Sequence, residues 1–259
     1  MPNARRAFAL ALILPLLACG GADADDGADE VGVEASAGAE QPPAAQVADG
    51  RPQGLFFMTR VWVTTNSLEE SVWYFAPDGR VYENLAAGFS DADLAAHAGN
   101  KGTFAVDGDE LAVMWSDGTT TKSTLQRSGE GFSWNAGLFT PVRPFRDGAP
   151  IAGTYGGGES FSTGAGNSAS SNTTLELRPD GTYAMSGTAA VQSTTGETQL
   201  SAGSSGGGAA GRWRAEGYSL ALTDAAGATT RAIAFPYDDD KTPVYPDRLF
   251  FGGTMYTRQ

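Results

Sequence analysis

The sequence predicts an all-β protein built from two tandem antiparallel meander units. Runs of aromatic and β-branched residues alternate with turn sequences, and the same series of short motifs occurs twice. An apolar run near the start leads to the only cysteine of the chain. We expect a signal peptide at 1–18, a lipidated cysteine and disordered acidic linker at 19–50, and two barrel-like repeats at 51–148 and 149–259.

The first 19 residues have the pattern of a lipoprotein signal. Arg5 and Arg6 precede the apolar stretch 7–18, and Leu16-Leu17-Ala18-Cys19 places a branched residue and a small residue where a lipoprotein signal peptidase requires them. A membrane-spanning helix needs about 20 apolar residues, which is more than this stretch contains. We therefore predict that the thiol of Cys19 carries a lipid anchor, and an ordinary cleaved signal is the alternative.

Residues 20–50 are rich in acids, Ala, Gly and Pro, and they contain no Lys, Arg or aromatic residue. Such a segment buries too little apolar surface to offset its conformational entropy, so the sequence predicts a disordered tether extended by like charges. An acidic arm that recruits a basic partner is the alternative. The acids are Asp23, Asp25, Asp26, Asp29, Glu30, Glu34, Glu40 and Asp49.

The charge balance excludes nucleic acid as an expected partner. Loss of the two signal-peptide arginines takes the net charge from −13 to −15, and residues 51–259 alone carry 15 basic and 22 acidic side chains. Binding to phosphates requires clustered Lys and Arg, which this part of the chain does not contain.

Internal repetition is the most informative feature of the predicted folded part. Gly54-Leu55-Phe56 recurs as Gly153-Thr154-Tyr155, and Pro77-Asp78-Gly79 recurs as Pro179-Asp180-Gly181. Further pairs link Gly102-Thr103-Phe104 with Gly211-Arg212-Trp213, Leu111-Ala112-Val113 with Leu220-Ala221-Leu222, Gly118 with Gly227, and Gly137 with Gly253. The second copy is longer because of residues within 156–171, 192–210 and 236–247, which we expect to be surface loops.

Each repeat is expected to contain six or seven short strands. In Pro-Asp-Gly, proline fixes the first turn residue and glycine takes the left-handed conformation, so the chain reverses there. Further reversals are predicted at Asp107-Gly108-Asp109, Ser116-Asp117-Gly118, Gly129-Glu130-Gly131 and 224–227. One short helix is predicted with Ser90 as N-cap, Asp93 completing a capping box and Gly99 ending it.

Small antiparallel barrels suit this number of strands because closure removes exposed sheet edges. The tryptophans on predicted strands would contribute much of the stability of a fold without disulfides. The alternative is that they line a ligand cavity. They are Trp62, Trp73, Trp115, Trp134 and Trp213.

The order of motifs in the second copy resembles the lipocalin-like β-barrel modules of bacterial lipoproteins. Gly-x-Tyr, Leu-Glu-Leu-Arg-Pro-Asp-Gly-Thr-Tyr, Gly-Arg-Trp, Leu-Ala-Leu-Thr and a closing Gly-Gly-Thr-Met-Tyr-Thr-Arg carry the resemblance, which spans 54–258. The chain is also similar to the N-terminal barrel of copper-stress envelope lipoproteins, but it has Glu159 to Ser171 where those proteins carry Cys-x-x-Cys. The resemblance implies a fold and an envelope location, and no activity. By similarity to enterobacterial sorting rules, Gly20-Gly21 after the cysteine favours the outer membrane.

No catalytic set emerges from the sequence. Gly203-Ser204-Ser205-Gly206-Gly207 has a nucleophile-elbow spelling in a low-complexity context, and the only histidine, His97, is predicted at a helix end. We predict no cofactor and no transition-metal site. The weak candidates for a hard cation are Asp238, Asp239, Asp240 and Asp247.

Three functional hypotheses follow. The first is a non-enzymatic, membrane-anchored envelope lipoprotein that binds a small apolar molecule or an envelope partner protein. The second is a structural surface protein that has solid cores and takes no small ligand. The third is an enzyme of unrecognised type, which would need acids or serines gathered from both repeats.

Overall fold

The computed structural model describes residues 41–64, 67–86, 88–146, 151–162, 168–195, 198–237 and 246–259. At 159–162, 168–170, 189–195 and 198–207 it describes the backbone alone. Within these residues the fold is all-β with two antiparallel barrels, as the sequence predicts. Both barrels belong to one compact unit, Gly38–Gln259.

The first barrel is a nine-strand meander with one additional strand, β1, paired to β2. The ten strands and one helix are β1 (Gln46–Ala48), β2 (Arg51–Trp62), β3 (Ser67–Phe75), β4 (Arg80–Glu83), α1 (Asp91–Ala96), β5 (Lys101–Asp107), β6 (Glu110–Trp115), β7 (Thr120–Thr124), β8 (Gln126–Ser128), β9 (Gly131–Trp134) and β10 (Gly137–Pro141).

The first barrel is nearly closed. Its strand order is β7-β6-β5-β4-β3-β2-β10-β9-β8, so the two edge strands are β7 and β8. These strands are consecutive in the chain and are separated only by Leu125, which is buried in the barrel core. One strand is thus interrupted at Leu125 and changes its partner from β6 to β9.

The second barrel is a closed meander of eight strands. They are β11 (Gly153–Ser162), β12 (Ser168–Leu177), β13 (Thr182–Thr195), β14 (Thr198–Glu216), β15 (Ser219–Asp224), β16 (Thr229–Tyr237), β17 (Arg248–Phe251) and β18 (Thr254–Arg258). If β7 and β8 count as one interrupted strand, each barrel wall has eight, one or two more than the sequence predicts.

The repeated motifs occupy equivalent places in the two barrels. Gly79 and Gly181 have φ of +89° and +81° in their Pro-Asp-Gly turns. Their carbonyl oxygens accept hydrogen bonds from the equivalent backbone N–H groups of Phe104 and Trp213, at 2.7 and 2.8 Å. The predicted duplication therefore extends to individual hydrogen bonds.

The repeated glycines Gly102 and Gly211 have a steric role. A Cβ at Gly102 would overlap the carbonyl oxygen of Met114 on β6, and a Cβ at Gly211 would overlap the equivalent oxygen of Thr223 on β15. Only glycine permits this close approach between neighbouring strands. The requirement explains why both copies of the repeat have glycine there.

Two of the three predicted surface loops are instead strands, and the prediction was wrong for them. Residues 156–162 and 168–171 belong to the hairpin β11–β12, and 192–195 and 198–210 belong to the hairpin β13–β14. Small residues adopt extended backbone without steric cost, and antiparallel pairing satisfies their N–H and C=O groups. The second copy is thus longer because its strands are longer. Most of the third segment, 238–245, lies outside the described residues.

Helix α1 begins as predicted. The Ser90 side chain accepts a hydrogen bond from the Asp93 N–H at 3.2 Å and lies 2.7 Å from the Asp93 carboxylate. The helix ends at Ala96, earlier than predicted, because His97 has an extended ψ of 116°. Lys101 donates to the carbonyl oxygen of His97 at 2.9 Å, which satisfies a backbone group at the helix end.

The start of the folded part also differs from the predicted boundary at residue 50. Strand β1 pairs with β2 in the register Gln46↔Gln53, and Ala45 and Val47 pack against the first barrel core. Asp49 and Gly50 form the connecting turn with positive φ. Residues 45–50, which the sequence-based prediction assigns to the tether, are therefore part of the folded structure.

The buried apolar side chains among the described residues form three cores. The first fills the first barrel around Phe56, Trp73 and Phe139, and the second lies inside the described part of the second barrel around Tyr155 and Leu220. The third is a seam between the barrels, where outward-facing side chains of both walls meet. The seam includes Leu55, Phe57, Val72 and Tyr74 of the first barrel and Ile233, Phe235 and Phe250 of the second.

Candidate functional site

Three of the five candidate tryptophans come together inside the first barrel. The Trp73 ring centroid lies 5.3 Å from that of Trp115 and 5.8 Å from that of Trp134. The Trp73 Nε1–H donates to Ser71 Oγ at 2.8 Å, and the Trp134 Nε1–H donates to the Leu111 carbonyl at 2.9 Å. These rings pack as a core, and their polar atoms already have protein partners.

The other two tryptophans lie elsewhere. Trp62 is at the exposed end of β2, where its Nε1–H donates to the Glu69 carboxylate at 2.7 Å and its ring lies beneath the Arg60 guanidinium. Trp213 is on the second barrel and donates to the carbonyl of Arg178 at 3.0 Å. The structure therefore does not gather all five into one cup.

The carboxylate candidates for a hard cation are only partly described. Asp238, Asp239 and Asp240 lie outside the described residues. Asp247 is exposed, and its carbonyl oxygen accepts a hydrogen bond from the Arg258 N–H at 2.8 Å. Within the described ranges, no group of three or more His, Cys, Asp or Glu residues could hold a metal ion.

The structure also shows where the nucleophile-elbow sequence at 203–207 and the histidine lie. Ser204 and Ser205 lie within strand β14 and pair in register with Ala189 and Thr188 of β13, so their backbone is not a strand-to-helix elbow. His97 is buried, and its Nε2 lies 3.3 Å from the carbonyl oxygen of Asn100. Cys19 lies outside the described residues.

A pocket of about 550 Å³ opens at the end of the first barrel where β2 begins and β10 finishes. We call it the seam pocket. Residues 44–47 form one wall, the β8–β9 turn and residues 141–144 form the others, and Tyr218 of the second barrel completes it. Register places this end opposite to Trp62, because Pro141 pairs with Phe56 and Leu138 with Thr59.

The seam pocket combines apolar walls with two arginines. Ala45, Val47 and Val142 supply apolar surface, and Arg143 pairs with the Glu130 carboxylate at 3.3 Å. Arg127 also lines the pocket and has no ion-pair partner among the described residues. This arrangement can hold an apolar body next to a free guanidinium.

Tyr218 fixes the deep side of the seam pocket. Its hydroxyl donates to the Val142 carbonyl oxygen at 3.0 Å, and burial raises its pKa to about 12.

No known protein family, curated protein or solved structure matches this chain. Among the described residues, no helix is long and apolar enough to cross a membrane.

Sequence reasoning missed the seam pocket and its arginines. The pocket forms only because residues 44–47 fold across a barrel end and Tyr218 arrives from the other barrel, and no local motif encodes either event. The exposed apolar side chains of Val61, Val63 and Leu68 were missed as well. A signal for these was present, because Val61-Trp62-Val63 is a continuous apolar run directly before a polar turn.

Proposed function

We propose that this protein is an exported bacterial lipoprotein, anchored to the outer membrane through Cys19, whose folded part binds a small, mainly apolar molecule without catalysis. The signal sequence and Leu16-Leu17-Ala18-Cys19 support the anchor. The resemblance to lipocalin-like lipoprotein barrels supports the envelope location. The seam pocket is the observation that carries the binding role.

The dimensions of the seam pocket support a small ligand. Its volume of about 550 Å³ falls inside the usual range of small-molecule sites, roughly 300–1,000 Å³. Aromatic and aliphatic side chains fill the interior of the first barrel, since Phe56, Phe132 and Phe139 are buried and Phe132 packs against both of the others. We therefore place the ligand at the barrel end and not in the lumen.

The charges of the seam pocket indicate the kind of ligand. Glu130 neutralises Arg143, while the Arg127 guanidinium remains available for an anionic group. Val47 and Val142 provide contacts for an apolar body. A small amphiphile with one negative charge satisfies both requirements.

The anchor is tested by metabolic labelling with palmitate in cells that export the chain. We expect the label on the wild-type protein and none on Cys19→Ala, because Cys19 is the only thiol. Label retained by Cys19→Ala, or no label on the wild-type protein, would contradict the lipoprotein assignment.

The seam pocket is tested with anilinonaphthalene sulfonate, a small apolar anion, titrated into the purified mature protein. We expect one saturable site whose affinity falls roughly 10- to 150-fold in Arg127→Ala, because a lost charge-assisted hydrogen bond costs roughly 1.5–3 kcal/mol. Ala44→Trp should obstruct the opening and abolish binding.

The matched control is Arg212→Ala, which removes an exposed arginine from the outer wall of the second barrel. It should leave the affinity unchanged. Equal affinities in Arg127→Ala, Ala44→Trp and the wild-type protein would show that the seam pocket is not the site.

A further inference from the structure

The hairpin β2–β3 ends in exposed apolar side chains, which we call the apolar tip: Val61, Trp62, Val63 and Leu68. The exposed fractions are 62% for Val61, 47% for Trp62, 88% for Val63 and 59% for Leu68. Large apolar side chains exposed together at one end of a folded protein usually mark an interaction site. The seam pocket lies at the opposite end of the barrel, so the apolar tip is a separate surface.

The position of the apolar tip follows from the register of the hairpin. Phe57 pairs with Val72 and Val61 pairs with Leu68, so all four side chains lie on the same face of the hairpin. Phe57 and Val72 are buried in the seam against the second barrel. Val61 and Leu68 continue this apolar face beyond the seam, where they are exposed.

We propose that the apolar tip inserts into the interfacial zone of the bilayer that carries the lipid anchor. This inference rests on the proposed function, because it needs lipidated Cys19 to hold the protein at a membrane. Trp62 suits such a place, since its ring is half exposed while its Nε1–H is satisfied by Glu69. Tryptophan is enriched at membrane interfaces for this combination of an apolar body and a polar edge.

The chain between the anchor and the fold is long enough for this orientation. Gln46, the first residue of β1, pairs with Gln53, and β2 spans about 30 Å from Gln53 to Trp62 at about 3.3 Å per residue. The tether joins β1 at the end of the barrel opposite the apolar tip. Residues 19–40 can extend to about 75 Å at about 3.4 Å per residue. The anchor and the apolar tip can therefore reach the same bilayer.

The local charge selects the lipid. Residues 61–68 contain no charged side chain, and the adjoining residues are Arg60, Glu69 and Glu70. Because these three adjoining residues together carry more negative than positive charge, anionic headgroups would repel this end of the hairpin. We expect contact with zwitterionic headgroups, driven by apolar burial and insensitive to salt.

The test uses the lipidated mature protein reconstituted into phosphatidylcholine vesicles that contain brominated acyl chains, which quench tryptophan fluorescence. The contribution of Trp62 is the difference between the wild-type protein and Trp62→Phe. We expect bromolipid to quench this contribution. In Val63→Asp the inserted population should fall about tenfold, because the valine that enters the bilayer is replaced by a charge.

Met114→Asp is the matched control, since Met114 is 57% exposed on another strand of the same barrel. It should be quenched like the wild-type protein. A second variant lacks residues 23–38, which shortens the maximal reach of the tether to about 20 Å, less than the span from Gln53 to Trp62. Quenching should be lost in this variant although Val61, Trp62, Val63 and Leu68 are unchanged.

The outcomes separate this inference from the proposed function. Palmitate on Cys19 without quenching of Trp62, or equal quenching in Val63→Asp and Met114→Asp, would overturn the bilayer contact and leave the lipoprotein assignment standing. Crosslinking from a photoreactive group at Val63 to an envelope protein and not to lipid would also overturn it. Absence of palmitate from Cys19 would overturn both.

Discussion

Trp73→Ala is expected to lower the free energy of unfolding by about 3–5 kcal/mol, the usual cost of removing a large aromatic side chain from a core. Trp73 is 3% exposed and lies against Phe75, Trp115, Trp134 and Phe139, with ring centroids 5.3–5.9 Å apart. Its removal would leave a cavity in the centre of the first barrel and the Ser71 hydroxyl without its donor. Urea unfolding followed by far-UV circular dichroism measures the loss.

Trp62→Ala provides the matched control, because it removes the same side chain from an exposed position. We expect a loss of about 1 kcal/mol or less, since Trp62 is half exposed and its hydrogen bond to Glu69 is open to solvent. Equal losses for the two variants would show that the first barrel is not packed around Trp73.

Phe235→Ala is expected to cost about 3–5 kcal/mol and to weaken the attachment of the two barrels. Phe235 is fully buried in the seam, stacks on Phe250 at 4.8 Å and lies 6.2 Å from Phe57 of the first barrel. Since the side chain belongs to a core that both barrels share, its loss should expose apolar surface on each of them. Urea unfolding gives the energy, and limited proteolysis of the 142–152 connection should become faster.

Met114→Ala is the control for this variant, since Met114 is an exposed apolar side chain on the first barrel. Its free energy of unfolding should stay within about 0.5 kcal/mol of the wild-type value. If Phe235→Ala is equally mild and proteolysis is unchanged, the seam does not hold the barrels together.

Much of the fold could be predicted because its signals are local. Pro77-Asp78-Gly79 and Pro179-Asp180-Gly181 specify chain reversals through the backbone limits of proline and glycine, and both turns form as predicted. Ser90 and Asp93 specify the start of α1 through side-chain hydrogen bonds three residues apart. In these places the interacting groups are close together in the sequence.

The predictions were wrong where pairing between distant segments overrides local composition. Residues 198–210 look like a flexible loop because they are rich in Gly, Ser and Ala, yet β14 runs through them and pairs with β13. Gln46–Ala48 look like the end of a disordered tether, yet β2 recruits them as β1. Backbone hydrogen bonding depends little on side-chain type, so residue composition could not reveal these strands.

The candidate site shows the same division. Trp73, Trp115 and Trp134 could be chosen from the sequence as aromatic strand residues, but only their shared barrel interior identifies them as core. Arg127 and Tyr218 are 91 positions apart in the chain, and they line one pocket because the second barrel docks on the first. The seam pocket depends on this packing of one barrel against the other, and no sequence motif predicts it.

The sequence by itself determined the all-β class, the two tandem meander units and their Pro-Asp-Gly turns, because these depend on local patterns of residues. The tertiary structure decided that the lumen of the first barrel is filled, that a seam unites the repeats, and that a pocket and an apolar tip lie at opposite ends of the first barrel. These features depend on which apolar faces meet, and that is settled by burial over the whole chain.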